Sequence, residues 1–362
     1  MSRYLYAKVK NDIRKNIETG VFKEEEYLPS EKQLCEKYAV SRITVRRATA
    51  ELARENLLIQ QRGKGVLVKR RCYPSGSLTF LALLPLSVKT FFYDEFFGSV
   101  WKGMDEEANL FGYNLIFTTH SRYLKHKKEL VDSIDPKRIS GVLAVDVTHE
   151  VDLDALLDLH ETVPVMLIDY ADDNFSSVAS DNVGGAFEAV QYLISLGHRK
   201  IACVTIPCFG NSYPLRVEGY RQALEVLHIR DVSVFSPDEV KVMGRGTREA
   251  ERLGYEVCRK LLKEKAGITA IFAVSDGAAL GVMKALQEQK IKVPGEISVI
   301  GFDGIADGRY SKPPLATMDV PKEKMGKLAV RGLIHMIRKP GTAPRHILLP
   351  PQLVTGGSVI RR

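Results

Sequence analysis

The stretch Ser41–Asn56, SRITVRRATAELAREN, gathers guanidinium chemistry on one side of a helix. At 3.6 residues per turn Val45, Ala48 and Leu52 share an inward side, Arg42, Arg46 and Thr49 occupy another, and Arg47 is rotated about 100° from Arg46. A planar guanidinium donates two parallel hydrogen bonds to a carboxylate, a phosphate or a guanine edge. Arg42 and Arg46, one turn apart, form a face for such acceptors, while Arg47 reads as a solvated or backbone-contacting residue. A second set of groups lies far downstream. Asp146, Asp169, Ser275, Asp276 and Asp303 each come directly after an apolar run, and Asp94 follows the loop behind the first run. Carboxylates and hydroxyls so placed accept or bridge several hydroxyl hydrogen bonds, as a polyhydroxylated ligand requires; alternatively each caps the helix that comes next.

Other chemistry is thinly represented. The five cysteines form no CxxC pair and the eight histidines no HExxH, so neither a disulfide framework nor a metal site is expected. No GxSxG, Walker or SxxK motif occurs, and no two carboxylates can be assigned the separation of about 5 Å that a retaining glycosidase needs. The chain reads as a non-enzyme without a cofactor. GRGTRE at Gly244 lacks the third glycine of a dinucleotide loop and does not stand in the first βαβ unit. The weakly polar run Leu78–Val88 falls short of the roughly 20 residues of a membrane helix, and the amino terminus scatters charge through its apolar positions instead of offering an h-region. A cytoplasmic location is expected.

Three helices must hold the arginines. Tyr6, Val9, Ile13 and Ile17 follow helical spacing, with Gly20 available to end that helix. Next, Ser30 and Gln33 have the spacing of a capping box, and Leu34 and Tyr38 point inward from a short second helix. After the tight turn Ala39-Val40, Ser41 caps a third helix that runs to about Asn56. Two β-rich pieces, Leu57–Gln61 and Val66–Val68, flank Arg62-Gly63-Lys64-Gly65 and predict a hairpin with a basic tip. Charge supports a nucleic-acid partner for this unit: residues 1–71 hold 17 Lys and Arg against 9 Asp and Glu, a net +8, whereas the rest holds 35 of each. A major groove admits an α-helix, and the wing tip reaches an adjacent groove.

Residues 4–68 resemble the DNA-binding domain of the GntR family through LYAKVKNDIRKNIETG, LPSEKQLCEKYAVSRITVRRATAEL and RGKGVLV. The resemblance implies that Lys32, then Ser41, Arg42, Thr44 and Arg46 at the start of the recognition helix, and Arg62, Gly63 and Lys64 in the wing meet double-stranded operator DNA. Thr44 is also open to a plain first-turn capping role. Ala39 and Asn56 stand where that family has glycine, and FKEEEY replaces its usual Pro-Gly. An alanine held at positive φ costs on the order of 1 kcal/mol.

KRRCYPSGS at 69–77 has the composition of a linker, giving a winged helix at 1–70, a linker at 71–77 and a body at 78–362. In the body apolar runs alternate with helical stretches: LTFLALLPL, Asp94–Phe111, YNLIFTT, a helix near Lys125–Ile134, SGVLAVDV, a helix near Leu153–His160 and PVMLIDY. The alternation resumes with Gly184–Leu196, KIACVTI, Arg216–Leu227, EVKVM, Arg248–Lys263, AIFAVS, Ala278–Gln289 and ISVIGF. This predicts two α/β halves with parallel sheets and a cleft between them, ligands binding beyond the carboxyl ends of the strands.

The body resembles the effector domain of the LacI/GalR family, itself similar to periplasmic sugar-binding proteins, through VASDNVGGAFEAVQYLISLGHRKIACV, RVEGYRQAL, ITAIFAVSDGAALGVMKALQEQKIKVPGEISVIGFDG and PPLATMDVPKEKMGKLAV. That resemblance implies that Arg216 and Asp303 hold sugar hydroxyls, with Asp169, Ser212 and Ser275 close by; Ser275 stands where the family has asparagine. Asp181-Asn182 reads as a cap for the following helix. Tyr93, Phe96 and Phe97 either line the cleft or belong to the core. The two resemblances together point to the arabinose-repressor-like branch of the GntR family: a homodimeric repressor of carbohydrate-utilisation genes, relieved by a small sugar, arabinose among the candidates. A solute-binding protein with an accessory amino-terminal segment is the competing class.

Overall fold

The computed structural model describes residues 2–18, 21–23, 26–54, 57–61, 64–68, 79–84, 94–119, 134–147, 153–207, 210–229, 233–237, 246–264 and 267–362. The linker expected at 71–77, most of the helix near Lys125–Ile134, Tyr93, Arg62 and Gly63 in the wing, and the EVKVM strand lie outside these residues. The chain divides into two compact units, one of residues 1–75 with 110–112 and one holding the remainder.

In the small unit α1 (Ser2–Glu18), α2 (Glu31–Tyr38) and α3 (Arg42–Arg54) precede an antiparallel ribbon of β1 (Leu58–Gln61) and β2 (Gly65–Val68). Val9, Ile13 and Ile17 from α1 meet Ala48 and Leu52 from α3 and Leu58 and Val68 from the ribbon in one core. Ser30 Oγ accepts from the Gln33 amide while the Gln33 side chain accepts from the Ser30 amide, which satisfies two of the donors left over at the start of α2. Ala39 ends α2 at φ 52°, ψ 46°, the left-handed conformation that glycine adopts freely. In the wing Gly65, at φ 115°, supplies a turn geometry closed to side chains. Tyr27 forms a single antiparallel bridge to Leu67, bringing a third segment alongside the ribbon.

The large unit holds two six-stranded sheets. The first contains β3 (Thr79–Leu84), β4 (Asn114–Thr119), β5 (Gly141–Val145), β6 (Val165–Ile168) and β7 (Ser176–Ser180). Between these strands lie α4 (Glu95–Leu110) and α5 (Leu153–His160). The second sheet takes β8 (Ile201–Val204), β9 (Ser233–Phe235), β10 (Ala270–Ala273), β11 (Ser298–Asp303) and β12 (Ala316–Asp319). Its helices are α6 (Asn182–Ser195), α7 (Ser212–Val226), α8 (Thr247–Glu264), α9 (Asp276–Glu288) and the short α10 (Ala306–Tyr310). The chain then returns through α11 (Lys322–Arg338) to β13 (His346–Leu349) beside β7, and crosses once more to β14 (Gln352–Val354) beside β12. Three connections therefore join the two lobes.

Among the described residues of the large unit every ladder is parallel except β12–β14. Each sheet begins with the same doubly wound order, β4-β3-β5-β6-β7 in one and β9-β8-β10-β11-β12 in the other. The winding direction thus reverses between β3 and β5 and between β8 and β10, where the strand ends leave an open crevice. Buried runs such as Val142–Val145 and Ala270–Ala273 are apolar because helices cover both faces. Gly254 of α8 and Gly281 of α9 let those helices touch: a Cβ on either would collide with the partner's backbone. Among the described residues no helix is long and apolar enough to cross a membrane.

Candidate functional site

Two clusters meet the requirements read from the sequence. On the small unit the start of α3 is turned to solvent. Val45, Ala48 and Leu52 are fully buried, leaving Arg42, Ile43, Arg46 and Arg47 exposed. Ser41 Oγ accepts from the Thr44 amide at 3.4 Å and lies 3.0 Å from Thr44 Oγ1, so both hydroxyls fasten the first turn. Arg46 donates through Nε to both oxygens of Glu31, at 2.8 and 3.0 Å, bracing α3 against α2 while its side chain stays 67% exposed. Lys32 and Lys64 are exposed as well.

One expectation for this face needs amendment, and Arg47, exposed as expected, has contacts of its own. Thr49 is buried, and its hydroxyl donates to the carbonyls of Val45 and Arg46 at 3.1 and 3.2 Å, so it belongs to the helix interior and not to the arginine face. Arg47 lies over the Tyr6 ring at 4.6 Å and within 3.8 Å of Glu51, a stacking partner of the head's own aromatic residue. Ile43 escaped the sequence reading. It is 79% exposed between the two arginines, and its signal was an apolar residue outside the inward helical spacing.

The second cluster is a cavity of about 130 Å³ between the two sheets. Its walls come from the strand ends nominated above. Asp94, Asp146 and Asp169 enter from the first lobe, and Ser212, Arg216, Ser275 and Asp303 from the second. Asp146, Asp169 and Asp303 have φ of 45°, 57° and 117°, half of the positive-φ non-glycine residues among those described. Strained backbone at three strand ends, two in one lobe and one in the other, is in keeping with a preorganised ligand site.

Arg216 is the centre of the second-lobe wall. It is only 1% exposed, yet its guanidinium is held on several sides: Nε donates to Asn182 Oδ1 at 2.8 Å, and Nη1 donates to the Val274 carbonyl at 2.7 Å and to Asp303 Oδ1 at 2.8 Å. Its plane covers the Phe302 ring at 3.8 Å. Burial raises the Asp303 carboxyl above its ordinary range, opposed by Arg216 and then by Lys322. The Lys322 ammonium is itself buried, and donates to the carbonyls of Asp303 and Gly304 and to Asp319.

Asp169 is the group left wanting a partner. Its Oδ1 is buried with no hydrogen bond. Burial pushes its pKa up to about 6, against the pull of Arg216 and of a Ser180 backbone bond and with the push of Asp303. An acceptor so placed awaits a donor.

Not every nominated aspartate faces the cavity. Asp276 is fully buried beneath it and accepts from Thr317 Oγ1 at 2.6 Å and the Ile305 amide at 2.9 Å, so it ties loops together. Ser275 lines the cavity, but its oxygen accepts from the Ala278 amide at 3.2 Å as the cap of α9, leaving the hydroxyl proton as its offer to a ligand. Asp181 caps α6 through the Gly184 amide, whereas Asn182 holds Arg216. Phe96 and Phe97 both line the cavity, and Phe96 is also buried.

Thr247, in the discounted GRGTRE loop, lines the cavity too. Its amide and hydroxyl both donate to Asp94 Oδ2 at 3.1 Å, while Asp94 Oδ1 accepts from the Phe96 and Phe97 amides at 3.1 and 3.3 Å. One carboxylate thus caps α4 of one lobe and α8 of the other. No cluster of His, Cys, Asp or Glu able to hold a metal ion occurs among the described residues.

Comparisons with known proteins cover both units. The family description "Bacterial regulatory proteins, gntR family" matches residues 5–68, and "Periplasmic binding protein-like domain" matches residues 190–359. The ribose operon repressor of Escherichia coli (strain K12) is 32% identical over 267 residues, 73% of this chain and 78% of that protein. The HTH-type transcriptional repressor PurR of Vibrio atlanticus (strain LGP32) is 28% identical over 268 residues, 73% and 77% of the two chains. Among solved structures, a LacI family transcriptional regulator from Enterococcus faecium with bound ribose aligns with a TM-score of 0.65 at 23% identity, over 78% of this chain and 99% of that one. The transcriptional regulator CelR in complex with cellobiose aligns with a TM-score of 0.68 at 23% identity, over 88% and 91%. At these identities the two structures establish the shared fold.

Proposed function

Since the chain belongs to the bacterial repressor family that includes the ribose operon repressor, with a gntR-type domain at its amino terminus, we propose that it represses carbohydrate-utilisation genes from the cytoplasm and releases operator DNA when a small sugar occupies its cleft. The coarse activity is that of a DNA-binding transcriptional repressor with a sugar-binding effector domain. In the finer reading the protein is a homodimer whose two heads meet a pseudo-palindromic operator. Arg42 and Arg46 address phosphates and guanine edges, Ser41, Thr44, Lys32 and the wing residues Arg62, Gly63 and Lys64 address the backbone, and Ile43 offers an apolar contact to a thymine methyl.

In the cleft Arg216, Asp303, Asp169, Ser212 and Ser275 hold sugar hydroxyls. One observation supports this most directly: Asp169, whose buried Oδ1 has no hydrogen bond, lines the same cavity as Asp303 and Arg216. A sugar closing two lobes joined by three connections shifts the protein toward the closed state by its differential affinity for that state. Pairing a gntR-type head with this body supports the arabinose-repressor-like branch, so L-arabinose and D-ribose head the ligand panel. Electrophoretic mobility shift with promoter duplexes tests the reading. A retarded band that one of these sugars abolishes is expected, whereas sugar-strengthened retardation would assign a co-repressor role instead.

A further inference from the structure

The charge on the cavity wall narrows the ligand further, and this step rests on the cleft being the effector site. Asp94, Asp146, Asp169, Glu249 and Asp303 all line it, against one cationic side chain, Arg216, among the described residues. Its Nε and Nη1 are committed to Asn182, Asp303 and a backbone carbonyl, and its charge is already balanced by Asp303. Glu249 is engaged by Arg252, at 2.7 Å, but the donors on Asp94 are backbone amides and the hydroxyl of Thr247, all neutral. The amide of Thr247 at the start of α8, a natural anion-binding donor, is thereby taken.

We infer that the effector is an unphosphorylated, uncharged monosaccharide, and that sugar phosphates are excluded from this cavity. Ionised carboxylates on the wall can only accept; sugar hydroxyls donate to them, whereas a phosphate oxygen brings a further acceptor and a like charge into a region of low dielectric. Size is in keeping with this: at about 10–15 Å³ for each water-sized group, 130 Å³ is on the scale of a pentose or hexose.

The test uses the full chain in thermal-shift and calorimetric titrations with D-ribose, L-arabinose, D-xylose, D-glucose and D-galactose, each beside its terminal phosphate ester. At least one free sugar should raise the melting temperature by mass action, with its ester binding at least tenfold more weakly. In Asp169→Asn, with an unshifted far-ultraviolet spectrum, the free sugar should lose affinity and the gap to its ester should narrow. An ester that binds as tightly as its parent sugar, or alone, overturns the charge argument while leaving a sugar-responsive repressor intact. Silence toward both series, in protein that still retards promoter DNA, overturns the sugar reading and this inference together.

Discussion

On the proposed reading, single side chains set the behaviour of both ends of this regulator. Arg46 is spread between a carboxylate of its own domain and the surface where a phosphate or guanine would sit. Arg46→Ala should weaken operator binding roughly ten- to hundredfold in a mobility-shift titration, with the sugar-induced melting shift unchanged. Glu31→Gln should do the reverse, because it removes a negative charge from the DNA face and releases the Nε donor; weaker binding in that variant would assign the pair a structural role. Asp169 makes the cleft sensitive to acid. Its carboxyl is raised to about 6, so the unliganded protein carries part of a proton there near pH 6. Hydroxyl donors favour the charged form, so sugar binding should expel protons and weaken as pH falls from 7 to 5, which titrations in buffers of different ionisation enthalpy would register. For folding the sign is opposite: a raised carboxyl supports the fold below its unfolded value near 3.8 and loses that contribution as pH rises through 6. Asp169→Asn should therefore raise the melting temperature of the ligand-free protein at pH 8 by more than at pH 4.5.

At the level of elements, what could be read in advance depended on whether an element's partners were local. The capping box at Ser30 and Gln33 and the left-handed Ala39 were legible because each is settled within a few residues. Ala39→Gly should stabilise the head by roughly 0.5–1 kcal/mol, measured by chemical denaturation, since the exposed methyl makes the conformation costly and contributes little packing. Apolar strands such as β5 and β10 were equally plain. SSVAS, which forms β7, offered no apolar run at all. Its buried Ser177 hydroxyl lies 2.9 Å from His346 Nδ1 and its Ser176 hydroxyl accepts from the Arg345 amide, partners some 169 residues away that no local pattern reveals. The same limit separates Asp276 from Asp169. Both follow apolar strands, but Thr317 and the Ile305 amide draw the first inward. In the second lobe the strand beside β8 is Ser233–Phe235, a short segment that the alternation had passed over.

Across the whole effector unit the lobes are clasped as well as hinged. Asp94 caps a helix in each, and the Ala306 amide donates to Glu95 across the same mouth at 2.6 Å. Replacing Asp94 by Ala removes two caps at about 1 kcal/mol each. The variant should unfold at lower temperature and, in small-angle scattering, show a larger radius of gyration without sugar than the parent; an unchanged radius would mean that the clasp does not govern opening. The return of the chain through α11 has a different consequence. The final ladder partners of both sheets, His346–Leu349 for one and Gln352–Val354 for the other, come from a single short stretch near the carboxyl end. A frameshift or premature stop just upstream of residue 346 therefore strips an edge from each lobe at once. Lesions that remove residues 346–354 should behave as nulls, and neither lobe can be gained, lost or exchanged by a single cut in the gene.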